Sequence, residues 1–160
     1  MRKFVVGLVL MLAAACRSLP VDVYDANTVS NDESAAIIAL WQIDVLPELR
    51  NADSTKNPEA LSIELRKHVA EAFTARAIIN EYLKSPRGDV DAAKGFEVAS
   101  QLLYDIYFNI EQVLNSWNDW TDPNLPLNNN QFVSDMNEQI HKFNVLNDKF
   151  NEWVKQFKVK

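Results

Sequence analysis

Apolar residues recur at helical spacing along most of the chain. They stand three or four residues apart, which places them on one face of an α-helix. The pattern predicts four helices, over residues 32–50, 58–84, 90–120 and 131–158. The third of these keeps a heptad spacing, which is typical of closely packed helices. Four amphipathic helices joined by short connections predict an all-α, up-down-up-down four-helix bundle that spans residues 30–160.

Local signals mark where these helices begin or bend. Ser30 and Glu33 have the spacing of a capping box, which predicts a helix start just after Ser30. Asn57 and Pro58 favour the start of the second helix, since Asn is a good N-cap and Pro suits the first helical position. Pro47 lacks a backbone donor, so we expect a kink or an early end in the first helix.

The chain before residue 30 has no helical pattern of this kind. Two basic residues, Arg2 and Lys3, precede an unbroken run of apolar or small residues from 4 to 15. A membrane-spanning helix needs about 20 such residues, so this run is typical of a signal peptide. Residues 16–29 follow it, and their alternating acidic and aliphatic positions predict an extended tether.

The sequence Leu12-Ala13-Ala14-Ala15-Cys16 resembles the lipobox of bacterial lipoproteins. It departs from the usual pattern by one position, because Ala13 stands where Leu is common. The resemblance covers the leader alone, and it implies cleavage before Cys16 and a lipid on its thiol that holds the chain at a membrane. Arg17 after the cysteine implies the outer membrane, facing the periplasm or the cell surface. Ordinary secretion is the alternative, and it would leave Cys16 as a free thiol.

The amino-acid composition argues against a nucleic-acid partner and excludes two kinds of structural or binding motif. Acidic residues outnumber basic ones by 22 to 16, and loss of Arg2 and Lys3 with a leader makes the mature chain more acidic still. This balance argues against a nucleic-acid partner, because phosphate binding needs a basic surface. With one cysteine and three glycines, the chain has neither a disulfide framework nor a glycine-rich phosphate loop.

Metal and cofactor sites find little support. A di-iron site in a helical bundle needs two Glu-x-x-His motifs that face inward. Glu138 and His141 form one such motif, but Ile140 lies on the apolar face and so directs both away from the core. No Cys-x-x-Cys-His motif for haem attachment occurs. The sequence therefore predicts neither a metal nor a cofactor.

Asp44 and His68 form one candidate site. Asp44 falls on the apolar side of the first helix, and His68 lies on the apolar seam of the second. A buried carboxylate needs a partner, so we expect Asp44 to pair with His68 or with Arg76 of the second predicted helix. Such a pair is either a structural ion pair or an acid–base pair in a pocket.

The end of the third helix provides a second candidate, because aromatic and polar residues are concentrated there beside a long loop. Heptad spacing explains both tryptophans as core residues, whereas paired tryptophans with Asp and Asn also suit a carbohydrate-binding surface. The carboxylates lack the spacing and the glycine of an EF-hand calcium loop. The candidate binding residues are Trp117, Asp119, Trp120, Asp122 and Asn124.

These observations favour a membrane-anchored, non-enzymatic interaction module of a bacterial envelope, with a protein partner. One alternative is a lipoprotein that binds a small ligand or a glycan. Another is an envelope inhibitor, such as an immunity protein or a phage exclusion factor, whose acidic surface suits a basic target. An enzyme is disfavoured, because no set of catalytic residues converges.

Overall fold

The structure is a computed structural model that describes residues 18–50, 55–122 and 129–159. It confirms the all-α prediction, because four long helices pack against one another in chain order. The elements are β1 (Ser18–Leu19), α1 (Val21–Ala39), a π-helical segment (Leu40–Val45), α2 (Leu46–Leu49), α3 (Pro58–Lys84), α4 (Val90–Asn115), α5 (Trp117–Thr121), α6 (Asn129–Val154) and β2 (Lys158–Val159).

Contacts between helices show that neighbours run in opposite directions. Ser30 of α1 bonds to Arg76 of α3, whereas Glu33 further along α1 meets His68 earlier in α3. The same reversal relates α3 to α4, α4 to α6, and α6 to α1. The bundle is therefore up-down-up-down, as the short connections predict.

Two helices begin where the sequence predicts. The side chain of Asn57 accepts from the backbone N–H groups of Glu59 and Ala60, and Pro58 occupies the first helical position. Asp89 accepts in the same way at the start of α4. These caps satisfy donors that an α-helix leaves free at its first turn, so the local sequence sets the boundary.

The predicted tether is wrong within the described residues. Ser18–Leu19 form a strand, and α1 begins at Val21, with Pro20 as its N-cap. Ser30 is not a cap, because it lies in the middle of α1 and is only 1% exposed. This part of α1 buries polar side chains as well as apolar ones, so it lacks the apolar stripe by which helices are recognised.

The other helix boundaries also differ from the prediction. The segment Leu40–Val45 before Pro47 is π-helical, so the expected distortion takes the form of a widened turn and not a break. The third predicted helix is interrupted at Ser116. The last helix spans 129–154 instead of 131–158, because Lys158–Val159 pair in parallel with Ser18–Leu19.

Two apolar clusters fill the bundle. The distal cluster surrounds Trp41 and reaches all four long helices. The basal cluster lies beside β1 and joins Leu19 to Phe96 and Phe150. On α1, buried Asn27 and Ser30 stand in sequence between residues of the basal and the distal cluster, whereas buried Arg76 of α3 stands between Ala75 and Ile79 of the basal cluster. Among the helices of the described ranges, none is long and apolar enough to cross a membrane.

Candidate functional site

A layer of polar side chains crosses the bundle between its two apolar clusters. Every long helix contributes to it, and its members, which are buried or half-buried, bond to one another. This polar layer consists of Asn27, Ser30 and Asn31 of α1, Arg76 of α3, Ser100 of α4, and Asn147 and Asn151 of α6.

Arg76 is the charged centre of this layer and is 1% exposed. Its guanidinium donates to the hydroxyl oxygens of Ser100 at 2.8 Å and Ser30 at 3.0 Å. It also lies over the ring of Phe96, 4.1 Å from the centroid, and near Phe143 at 5.7 Å. Burial lowers the pKa of Arg76 to about 10, so the side chain remains charged at neutral pH.

Asparagine side chains continue the layer between α1 and α6. Asn27 and Asn31 both donate to the amide oxygen of Asn151, at 3.1 and 2.9 Å. Asn147 donates to the amide oxygen of Asn31 at 2.8 Å. Buried amides need such partners because an unpaired polar group costs folding free energy. The polar layer is thus a structural connection that fixes α1 against its neighbours.

The expected pair of Asp44 and His68 does not form. Asp44 lies in the π-helical segment and contacts Lys56 at 2.9 Å, and this hydrogen bond raises the pKa of Lys56. His68 instead meets Glu33 at 2.6 Å, between α3 and α1. The prediction failed because the π-helical segment interrupts the α-helical spacing that placed Asp44 on the face towards His68. Both pairs join neighbouring segments of the bundle.

The tryptophan segment contributes mainly to the core. Trp117 is 8% exposed, and Trp120 is half-buried with its ring 4.8 Å from that of Phe132. Asp119 is exposed and Asp122 is half-buried, whereas Asn124 lies outside the described residues. The aromatic faces needed to stack on a sugar are therefore used in packing, as the heptad spacing indicates.

Cys16 and the rest of the leader also lie outside the described residues. Within the ranges that the structure describes, no group of three or more His, Cys, Asp or Glu side chains could hold a metal ion.

An open groove follows the outer face between α1 and α3. It consists of two adjoining depressions of about 760 and 560 Å³, which share Asp22 and Ile78. We call this surface the α1–α3 groove. Its lining comprises Pro20, Asp22, Val23, Asp25, Ala26, Val29, Ala70, Glu71, Thr74, Ala75, Ala77, Ile78, Glu81, Tyr82, Ser85, Pro86 and Arg87.

The floor of the groove is apolar. Buried Ala26 and Ala75 stand where α1 and α3 approach each other. Val29 and Ile78 lie in the same groove with 41% and 42% of their surface exposed to water. Single exposed apolar residues are ordinary on a protein surface, but an apolar patch that lines a concave surface is one mark of a binding site.

The arrangement suits binding better than chemistry. The groove is wide and open, and four exposed carboxylates make up half of its polar lining residues. Sequence reasoning missed this surface because it assigned the α1 residues of the groove to an extended tether. Val29 and Ile78 gave a weak signal, since neither belongs to the apolar seams predicted for the helices.

Comparisons with protein-family models, with curated proteins and with solved structures find no match to this chain.

Proposed function

We propose that this chain is a lipid-anchored, non-enzymatic interaction module of a bacterial envelope, and that it binds a protein partner through the α1–α3 groove. The observation that carries the proposal is the exposed apolar floor of that groove, at the same end of the bundle as β1. The lipobox-like leader supports the anchoring.

The distance between the anchor and the bundle follows from the sequence. Cys16 precedes Ser18 by two residues, and an extended chain spans at most about 3.5 Å per residue. A lipid on Cys16 would hold β1 within about 7 Å of the anchored residue. Because Leu19 is buried and Pro20 lines the groove, the lipid would lie close to the bundle, with no long linker between them.

Metabolic labelling tests the anchoring. We expect radioactive palmitate to label the full chain, and we expect Cys16→Ser to abolish both the labelling and the recovery of the chain with membranes. Labelling that persists in Cys16→Ser, or wild-type chain that stays unlabelled, would contradict the anchoring.

A matched pair of variants tests the groove. Val29→Ser with Ile78→Ser removes the exposed apolar floor, whereas Val98→Ser with Val145→Ser removes exposed valines from α4 and α6. All four residues are at least 40% exposed, so stability should change little in either variant. We expect the groove pair alone to lose proteins that co-purify with the chain from membranes. Equal loss in both pairs would argue against the groove.

A further inference from the structure

The edges of the α1–α3 groove carry one sign of charge. Asp22 and Asp25 of α1 stand on one side, and Glu71 and Glu81 of α3 stand on the other. Against these four carboxylates, Arg87 is the one basic residue in the lining. In the described part of the chain, none of the four acids forms an ion pair or a side-chain hydrogen bond, so their charges are not neutralised internally.

The dimensions of the groove match a short helix. Along α3 the lining extends from Ala70 to Tyr82, which corresponds to about 18 Å at the α-helical rise of about 1.5 Å per residue. That length is about three helical turns. A furrow between two helices, with apolar residues along its floor, accepts the apolar face of a third helix in a recurrent mode of recognition.

We propose that the occupant of the α1–α3 groove is a basic amphipathic helix of a partner protein, about three turns long. Its apolar stripe covers Val29 and Ile78, and lysines or arginines beside that stripe face Asp22, Asp25 and Glu71. This inference rests on the proposed interaction function and adds the chemistry of the partner. Opposite charges at the edge of an interface increase the association rate and select against acidic partners.

The charges argue against two other occupants. A second copy of the chain would present its own net charge of −6 to the acidic edges, so like charges would oppose such a dimer. Anionic lipid headgroups would be repelled in the same way. A basic amphipathic helix would bury apolar surface against the floor of the groove and would also pair its positive charges with the acidic edges.

Fluorescence anisotropy of labelled model peptides tests the proposal on the full chain, purified in an uncharged detergent. The probe is a leucine–lysine peptide of about 18 residues, because shorter isolated helices are marginal in water. Matched peptides carry glutamine or glutamate in place of lysine. Every chain variant is measured in the same detergent, so that binding of peptide to micelles is common to all.

We expect the lysine peptide to bind wild-type chain in a saturable manner that weakens with salt. Neutralising the edges with Asp22→Asn, Asp25→Asn and Glu71→Gln should weaken binding by about tenfold, as expected when complementary charges are removed. A charge-matched control, Glu97→Gln with Asp135→Asn and Asp148→Asn on α4 and α6, should change binding by less than about twofold.

The possible failures are distinguishable. If the glutamine or glutamate peptide binds as tightly as the lysine peptide, and Val29→Ser with Ile78→Ser still weakens it, the groove binds helices but the inferred charge is wrong. If no peptide responds to the floor variants, both this inference and the proposed use of the groove are overturned. Self-association in sedimentation experiments that the floor variants abolish would identify a second copy as the occupant and would also overturn the inference.

Discussion

Replacement of Arg76 tests whether its buried charge stabilises the fold or is merely tolerated. Its guanidinium donates to two hydroxyl oxygens and, over longer distances, to an amide oxygen and a backbone carbonyl oxygen, and it lies over aromatic rings, with no carboxylate among its described partners. Two substitutions separate charge from packing: Arg76→Met keeps most of the buried stem without the charge, whereas Arg76→Lys keeps the charge without the planar group. We expect the methionine variant to be the more stable of the two.

The magnitude follows from the pKa and the hydrogen bonds. Burial lowers the pKa of Arg76 from its usual value to about 10, and because one pKa unit corresponds to about 1.4 kcal/mol, burial disfavours the charged form by roughly 3 kcal/mol. Because the pKa is lower in the folded state, this penalty is complete at neutral pH and is relieved only as pH rises through about 10.

Hydrogen bonds offset that penalty. The two short bonds to Ser100 and Ser30 each contribute about 1.5–3 kcal/mol when the donor is charged. Arg76→Met loses these bonds but also removes the charge penalty, so we expect a loss of roughly 0–3 kcal/mol in the free energy of unfolding. Arg76→Lys retains the buried charge and gives up the flat contact with Phe96, so we expect a loss of roughly 2–5 kcal/mol.

The assay is urea unfolding at neutral pH, followed by circular dichroism on identical preparations of the three chains. Linear extrapolation gives the free energy of unfolding, and an unchanged slope shows that the unfolded states are comparable. A lysine variant more stable than the methionine variant by over about 1 kcal/mol would refute the reasoning, since it would mean that the charge itself stabilises the polar layer.

Three further substitutions test local features by the same unfolding assay. A Cβ on Gly88 would lie 2.0 Å from the backbone oxygen of Leu83, so Gly88→Ala should destabilise by at least about 1–3 kcal/mol. Gly95 lies within α4 with open space around it, so Gly95→Ala should increase the free energy of unfolding by about 0.5–1 kcal/mol. A Gly88→Ala variant more stable than the Gly95→Ala variant would contradict the structure. A 2.7 Å hydrogen bond to Glu111 raises the pKa of Tyr107, so its contribution is complete below about pH 10 and is lost as pH rises through the folded value. Tyr107→Phe should lower stability near neutral pH and flatten the decline above about pH 10, and a decline as steep as that of wild type would show that another group causes it.

Local sequence predicted the helices whose start signals and apolar faces agree. Asn57 and Asp89 cap α3 and α4 with their own side chains, so neighbours in sequence determine those boundaries. The apolar face of α4 is buried from Phe96 to Leu114. Periodicity is a reliable guide here because the buried face is made only of apolar or small residues.

Long-range contacts set the features that the sequence could not predict. The chain after Val154 leaves the helix because Lys158–Val159 pair with a strand at the other end of the sequence. Asp44 meets Lys56 and not His68, because a π-helical turn interrupts the α-helical spacing at Leu40–Val45. The strand partner has no local signature in the sequence, and Pro47 predicts a distortion of the helix without showing that it takes the form of a π-helical turn.

The first half of α1 is the most informative failure, because its buried face is polar. Asn27 and Ser30 point inward, and a periodicity analysis counts such residues as solvent-facing. They can be buried only because α3 and α6 supply Arg76 and Asn151 as partners. If any of these polar groups lost its partner, the segment would bury an unsatisfied group, so this part of the helix depends on the assembled bundle.

The α1–α3 groove depends on the assembled bundle for the same reason, because the helix that buries Asn27 and Ser30 also supplies the α1 residues that line the groove. Damage to the polar layer should therefore weaken binding at the groove even where no groove residue is changed.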